Sequence, residues 1–213
     1  MTGMERAPLQ DGYTDIPAGK IAAIATSLAM RAAPVGLQMP SAPSGVALRR
    51  VPCPGNGWYR DLFRKVGAPW LWHSRLRSSD AALGAILADD EVEVSVLVDS
   101  AGPSDVEIGI LELDFRVPGT CEIAFFGVVP EAIGRGLGRY LMTHALATAW
   151  ARPIESVWLH TCTLDHPGAL AFYLRSGFRT ERQQLELADD PRLTGHLPMS
   201  AAPHIPIYPR PGA

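Results

Sequence analysis

The chain has little with which to staple itself. Its three cysteines, Cys53, Cys121 and Cys162, are an odd set without the paired spacing of a zinc site or a disulfide framework, and that usage fits a reducing cytoplasm. It has no block of lysine or arginine, and its formal net charge is only −3. The basic footprint of sequence-independent nucleic-acid binding is therefore missing. It also has no apolar run long enough for a membrane span. The best candidate, Lys20 to Met30, falls short of the ~20 residues a spanning helix needs. Ile21, Ile24 and Leu28 at helical spacing, then Arg31 and Pro34, read as an amphipathic N-terminal helix rather than a cleaved signal. What remains is ordinary. The 213 residues, 47% hydrophobic and 19% charged, suit a soluble globular domain with extensions.

Pro34, Pro40, Pro43, Pro52 and Pro54 punctuate the next segment, which leaves room only for a short strand around Val46 to Val51. Trp58 to Val66 and Asp80 to Ala88 read as short helices, the second capped by Ser79 or Asp80. Trp70-Leu71-Trp72-His73 lies between them. Glu91 to Val98 alternates at period two, Ala101 to Ser104 turns the chain into a strand over Val106 to Phe115, and Pro118-Gly119 turns it again into Cys121 to Val129. Three strands joined by short turns make an antiparallel meander. Beyond it come a helix to about Trp150, a strand over Ser156 to His160, helical periodicity from Pro167, and a last strand over Phe178 to Leu187. Strand, helix, strand implies a parallel crossover, so the expected fold is α/β with a mixed, mostly antiparallel sheet and helices on both faces. The expected divisions are an N-terminal extension (1–57), a core domain (58–190) and a tail (191–213) whose six prolines make it irregular, draped or disordered.

The most informative stretch is Cys121 to Tyr140, a strand running into a glycine-rich turn that opens a helix. Gly134, Gly136 and Gly138 let backbone amides approach a ligand, and the helix start adds unpaired N–H groups and a positive dipole end. Phosphate ester is the expected ligand class. A Walker loop would need Lys-Ser/Thr where Arg139-Tyr140 stands, and the dinucleotide fingerprint would need a glycine where Arg139 stands.

The turn Ile133-Gly134-Arg135-Gly136-Leu137-Gly138 resembles motif A of the GCN5-related N-acetyltransferase (GNAT) superfamily, an Arg/Gln-x-x-Gly-x-Gly/Ala loop that holds the coenzyme A pyrophosphate. His166-Pro167-Gly168-Ala169-Leu170-Ala171-Phe172-Tyr173, followed by Gly177-Phe178, is similar to its motif B, with alanine, tyrosine and Gly-Phe in register. The two stand in the family's order. The resemblance covers about Trp58 to Leu187. It implies an N-acetyltransferase that moves an acetyl group from acetyl-CoA to a primary amine by direct transfer, with no metal. Two positions depart from the pattern: Ile133 stands for the usual Arg/Gln, and His166 for the usual Asn.

The resemblance implies roles for single residues. Glu122 stands at the position of a general base in the histone-acetylating branch, and strand alternation would put it on one face with Ala124 and Phe126, where desolvation raises its pKa. An exposed or arginine-paired carboxylate is the plainer reading. Tyr173 matches the tyrosine beside the coenzyme A sulfur, a candidate general acid, or an aromatic packing residue between Phe172 and Phe178. An N–H near Gly127 or Val128 would face the developing oxyanion, with Gly127 easing a local distortion or serving a ligand-free bulge. The turn Gly134, Arg135, Gly136, Leu137, Gly138 and Arg139 would hold phosphate mainly through its amides. His166 has three readings: cofactor contact, helix cap, or a titrating group.

His160, Cys162, Asp165 and His166 match no zinc spacing, and small buried cysteines are commoner than acyl-carrying ones. Trp58, Tyr59, Phe63, Trp70 and Trp72 are either acceptor-side aromatics that embrace a cationic amine or core contacts. The acceptor is otherwise unread: a small-molecule, peptide or protein amine. The N-terminal extension and the tail are candidates for covering that region or for pairing two copies into a homodimer. The reading from another class is a non-catalytic acyl-CoA sensor, which would need neither Glu122 nor Tyr173.

Overall fold

The computed structural model describes residues 11–209. Its strands are β1 (Lys20–Met30), β2 (Val46–Arg50), β3 (Val92–Asp99), β4 (Val106–Asp114), β5 (Thr120–Val128), β6 (Ser156–Cys162) and β7 (Arg179–Asp189), in the spatial order β2-β3-β4-β5-β6-β1-β7. The helices are α1 (Asn56–Gly67), α2 (Ser74–Arg77), α3 (Asp80–Leu87), α4 (Leu137–Trp150) and α5 (Ala169–Arg175). Both antiparallel turns of the expected meander are present, and β5 with β6 is the parallel pair that the α4 crossover requires.

The sheet buries both faces. On one, α1 and α3 lay Tyr59, Leu62, Phe63, Val66 and Leu83 on Val94, Val96 and Ile110. On the other, α4 and α5 lay Leu141, Ala145, Leu146 and Tyr173 on Leu111, Leu113, Ile123 and Leu159. Each fully buried large side chain contributes on the order of 1.5–3 kcal/mol. Packing rather than capping fixes α1, whose N-terminus at Gly55 has no side-chain cap. By contrast, α3 starts where expected, with the Ser79 hydroxyl accepting from the Ala82 N–H at 3.2 Å.

The segment Lys20 to Met30 is not the expected helix but strand β1, inserted between β6 and β7 and antiparallel to both. Its buried positions explain the misleading spacing. Ile21 and Ala23 are buried in the first half, and Thr26, Leu28 and Met30 in the second, so the buried face switches part-way along. A period of two that changes parity resembles a helical stripe, and tertiary pairing on both edges overrides the helix preference of its alanines. Residues 11–57 thus contribute two strands to the sheet.

The tail from Pro191 to residue 209 is irregular but packed. Leu197, Ala201 and Ala202 are buried against the α1 side of the sheet. The buried Arg192 guanidinium pairs with Asp190 at 2.7 Å and donates to the carbonyls of Ala201, Ala202 and Ile205. These bonds satisfy carbonyls that a strand or helix would otherwise serve. Residues 210–213 lie outside the described ones.

Candidate active site

The site begins with a disagreement between neighbouring strands. Pairing of β5 with β6 runs only through Thr120↔Ser156, Cys121↔Val157 and Glu122↔Trp158. Beyond that, β6 follows β1, as in Ser27↔His160 and Ala25↔Cys162, and β5 follows β4. The two strands part, and a cavity of about 800 Å³ opens at the gap. Val129 N–H donates to the Ile108 carbonyl of β4 at 2.9 Å. Strand alternation therefore turns the Val128 N–H toward the open edge and the Gly127 N–H toward β4.

Register also corrects the expected face of Glu122. Glu112 pairs with Phe125 and Leu113 with Ile123, so Ala124 is the extra residue of a β-bulge. Glu122 consequently shares its face with Phe125, not with Ala124 and Phe126. Phe125 packs edge-on to Phe63, with centroids 4.7 Å apart, on the α1 side. Phe126 stacks on Phe172 at 5.8 Å on the other. Gly127 serves a third purpose: a Cβ there would sit 2.8 Å from Val66 Cγ1 and 3.1 Å from Trp72 Cη2. It is glycine because helix and indole press against the strand.

Past Val128 the chain makes a 3-10 turn over Pro130–Ala132 and enters the glycine turn. Gly134 and Gly136 adopt φ of +85° and +77°, a left-handed conformation costly for other residues, and a Cβ on either would meet open space. No side chain caps α4, and among the described residues no acceptor meets the N–H groups of 134–139. This combination of unpaired amides, left-handed glycines and a helix start fits an anionic phosphate group. The side chain of Arg135 is committed elsewhere, to Asp99 at 2.7 Å. Arg139 lines the cavity.

His166 braces the turn ahead of α5, whose N-cap Gly168 has no side-chain cap: its Nδ1 accepts from the Gly168 N–H at 3.0 Å, and its ring meets Trp70 edge-on at 5.3 Å. It also lines the cavity. Tyr173 lines the cavity too, wedged among Phe126, Phe172 and Phe178. Burial, helped by the Asp165 charge, pushes its phenol pKa well up.

Glu122 stands beside the cavity rather than in its wall, with His160 Nδ1 3.9 Å from its Oε1 and forming the wall. Burial is the main cause that pushes the Glu122 carboxyl up to about 7. The Asp114 carboxylate adds to it, Arg75 opposes, Glu112 adds and Arg116 opposes. Burial also pushes the Cys121 thiol up to about 12 and the Cys162 thiol up to about 11. Neither thiol is then a thiolate at neutral pH.

Of the five aromatics expected on the acceptor side, only Trp70 and Trp72 line the cavity. Trp58 donates to Glu107 at 2.8 Å, Phe63 is core, and the buried Tyr59 hydroxyl donates to Glu112. Sequence reasoning missed the network that Glu112 organises. Its buried carboxylate accepts from both Tyr59 and Arg75, and the Arg75 guanidinium sits 5.1 Å from the Phe125 ring centroid. The sequence singled out Asp165 only within a cluster that matches no zinc spacing; in the fold it accepts from Trp72 Nε1 at 2.9 Å, from the Thr161 hydroxyl at 2.8 Å and from the Cys162 N–H at 2.8 Å.

Residues 59–178, more than half of the chain and the stretch holding the gap, the glycine turn and α5, match the model of the Acetyltransferase (GNAT) family. The chain belongs to this family. Solved structures agree on the GNAT fold. A GCN5-related N-acetyltransferase from Sphaerobacter thermophilus aligns over 82% of this chain and 53% of its own, at 16% identity and a TM-score of 0.53. A tandem GNAT protein from the clavulanic acid biosynthesis pathway aligns over 83% and 55%, at 16% identity and 0.52. An aminoglycoside acetyltransferase from an uncultured soil metagenomic sample aligns over 66% and 92%, at 17% identity and 0.51. The GNAT chain spans about half the length of the first two. No curated protein matches it by sequence. No described helix is long and apolar enough to cross a membrane.

Proposed function

We propose that the protein is an acetyl-CoA-dependent N-acetyltransferase that acetylates a primary amine by direct transfer. One observation carries the reading: a single cavity runs from the unpaired amides of the glycine turn, through the gap between β5 and β6, to His160 in its wall, behind which stands the Glu122 carboxyl, raised to about 7. Bound acetyl-CoA would supply an activated acetyl thioester. The amides of Gly134 to Arg139 hold its pyrophosphate, with Arg139 adding charge. The open edge of β5 pairs with the pantetheine arm.

Glu122 receives the proton of the incoming ammonium through His160 or a water, and at a pKa near ambient pH it is suited to take that proton. The amine nitrogen bonds to the acetyl carbon, the carbon–sulfur bond breaks, and the second proton that the nitrogen sheds as the amide forms passes through water to Tyr173, replacing the one Tyr173 gives to the sulfur. Val128 N–H, turned to the gap, stabilises the negative oxygen that develops between these events. Tyr173, kept protonated by burial, passes its proton to the departing sulfur. Direct transfer is favoured over an acyl-cysteine because burial holds both nearby thiols in their protonated form. Free cysteines throughout suit a cytoplasmic setting.

The test is mass-spectrometric detection of acetyl transfer to a mixed panel of amines, run beside Glu122→Gln and Tyr173→Phe with acetyl-CoA binding measured on each. The expected result is a product lost or reduced ~100-fold in Glu122→Gln, with acetyl-CoA affinity unchanged. Binding without any product would favour the sensor reading. Absence of binding would overturn the assignment.

A further inference from the structure

Charge is divided unevenly along the cavity. The gap between β5 and β6 passes from the α4–α5 side of the sheet to the α1–α2 side, and the arginines that line it, Arg139 from α4 and Arg175 from α5, belong to the former. The floor of the other end is made by β6, β1 and β7. Ile21 and Ala23 come from β1, His160 and Cys162 from β6, and Glu186 and Ala188 from β7. Cross-strand register puts Ala23 directly opposite Glu186 and Ile21 opposite Ala188. A residue with almost no side chain beside a carboxylate makes a notch with an acid at its edge.

Among the described residues Glu186 has no cationic partner, and its charge is felt by the Cys162 thiol. Asp165 supplies a second negative charge in the wall. The arginine at this end, Arg75, is paired with the buried Glu112 and stacked on Phe125, so its charge is already neutralised. His73, His160 and His166 are the other basic groups in the wall; His160 faces Glu122 and His166 meets Trp70. Trp70, Trp72, Leu71 and Leu164 complete an otherwise apolar and aromatic enclosure.

We infer that the acceptor is a primary amine on an apolar, aromatic-sized body that carries no carboxylate or phosphate, seated on the floor that the N-terminal strand builds. This rests on the acetyl-transfer reading and names its substrate class. Indole faces and unpaired carboxylates attract a cation. An anionic group on the acceptor would lie among acids with no free arginine or lysine, a penalty that discriminates by repulsion. Ala23 sets the depth of the notch, and Glu186 sets its sign.

The experiment compares a matched pair on the full chain, 2-phenylethylamine and phenylalanine, which share a body and an amine and differ by the carboxylate. Steady-state acetylation is measured together with calorimetric binding of acetyl-CoA and of each amine. The expected kcat/KM preference for 2-phenylethylamine is at least about 100-fold. Ala23→Leu, which fills the notch, raises its KM at least about tenfold with acetyl-CoA affinity unchanged. Glu186→Gln raises it severalfold and narrows the preference between the pair. Equal use of phenylalanine would overturn the inference, as would a spermidine or aminoglycoside acceptor used well while 2-phenylethylamine is ignored. Indifference of KM to both substitutions would remove the β1 floor from the site. Failure to bind acetyl-CoA would instead strike the underlying acetyl-transfer reading, so the two failures are told apart.

Discussion

Glu122→Gln is expected to stabilise the fold at alkaline pH while it removes the proposed base. The ordinary carboxyl value of 4.5 rises to about 7 in the folded chain, so folding disfavours the ionised form. That gap corresponds to about 3 kcal/mol, and partial hydration of a carboxylate whose side chain is 25% exposed reduces it to about 2 kcal/mol. The sign follows from which state holds the proton. Below pH 4.5 both folded and unfolded chains are protonated at this site and there is no penalty. Between 4.5 and about 7 the unfolded chain releases its proton first, so stability falls as pH rises, and above about 7 the loss is complete. Glutamine has the shape of the protonated acid and no charge to desolvate. Urea unfolding followed by tryptophan fluorescence, at pH 4.5 and pH 8, should show the variant level with the parent at the lower pH and about 2 kcal/mol more stable at the higher. The parent's kcat/KM should climb through about pH 7 and level off, and the variant should lack that limb. A stability difference that does not change with pH would mean that Glu122 ionises as an ordinary carboxylate and would refute its proposed tuning.

Two further substitutions probe the scaffold of the site. Gly127→Ala sets a Cβ 2.8 Å from Val66 Cγ1 and 3.1 Å from Trp72 Cη2, and should cost about 1–3 kcal/mol by overpacking, read as a lower urea midpoint with altered indole fluorescence. Glu112→Gln leaves the half-buried Arg75 without its counter-charge and should cost about 3–5 kcal/mol. The double variant Glu112→Leu with Arg75→Met should unfold later than Glu112→Gln alone, because no unpaired charge stays buried.

The glycine turn was legible because backbone conformation is a local property. Gly134 and Gly136 take left-handed φ whatever packs around them, and helix α4 begins at Leu137 where the spacing of Leu137, Leu141 and Ala145 starts. The meander was legible for the same reason, its turns being written in Gly102-Pro103 and Pro118-Gly119. Ser79 as a cap of α3 is another local feature. Much of the rest of the site is not of this kind. The bulge at Ala124 exists only because β4 and β5 pair with one residue out of step, and no residue in β5 announces it. The network around Glu112 joins residues 37 and 53 positions apart. Its carboxylate would read as an exposed strand residue in any window too short to include Arg75 and Tyr59.

The sequence by itself determined the strand–turn–helix that presents unpaired amides, the order of the two motifs and the mixed sheet they require. These follow from φ restrictions, hydrophobic period and the handedness of a crossover, all expressed within about fifty residues of chain. Only the tertiary structure decided that Lys20–Met30 is a strand between β6 and β7, that Glu122 faces Phe125, and that Glu186 stands opposite Ala23 on the cavity floor. The first and last depend on pairing between segments more than a hundred residues apart, and the second on a one-residue step between β4 and β5. A strand acquires its edges, its buried face and its charged neighbours from partners that the local sequence does not contain.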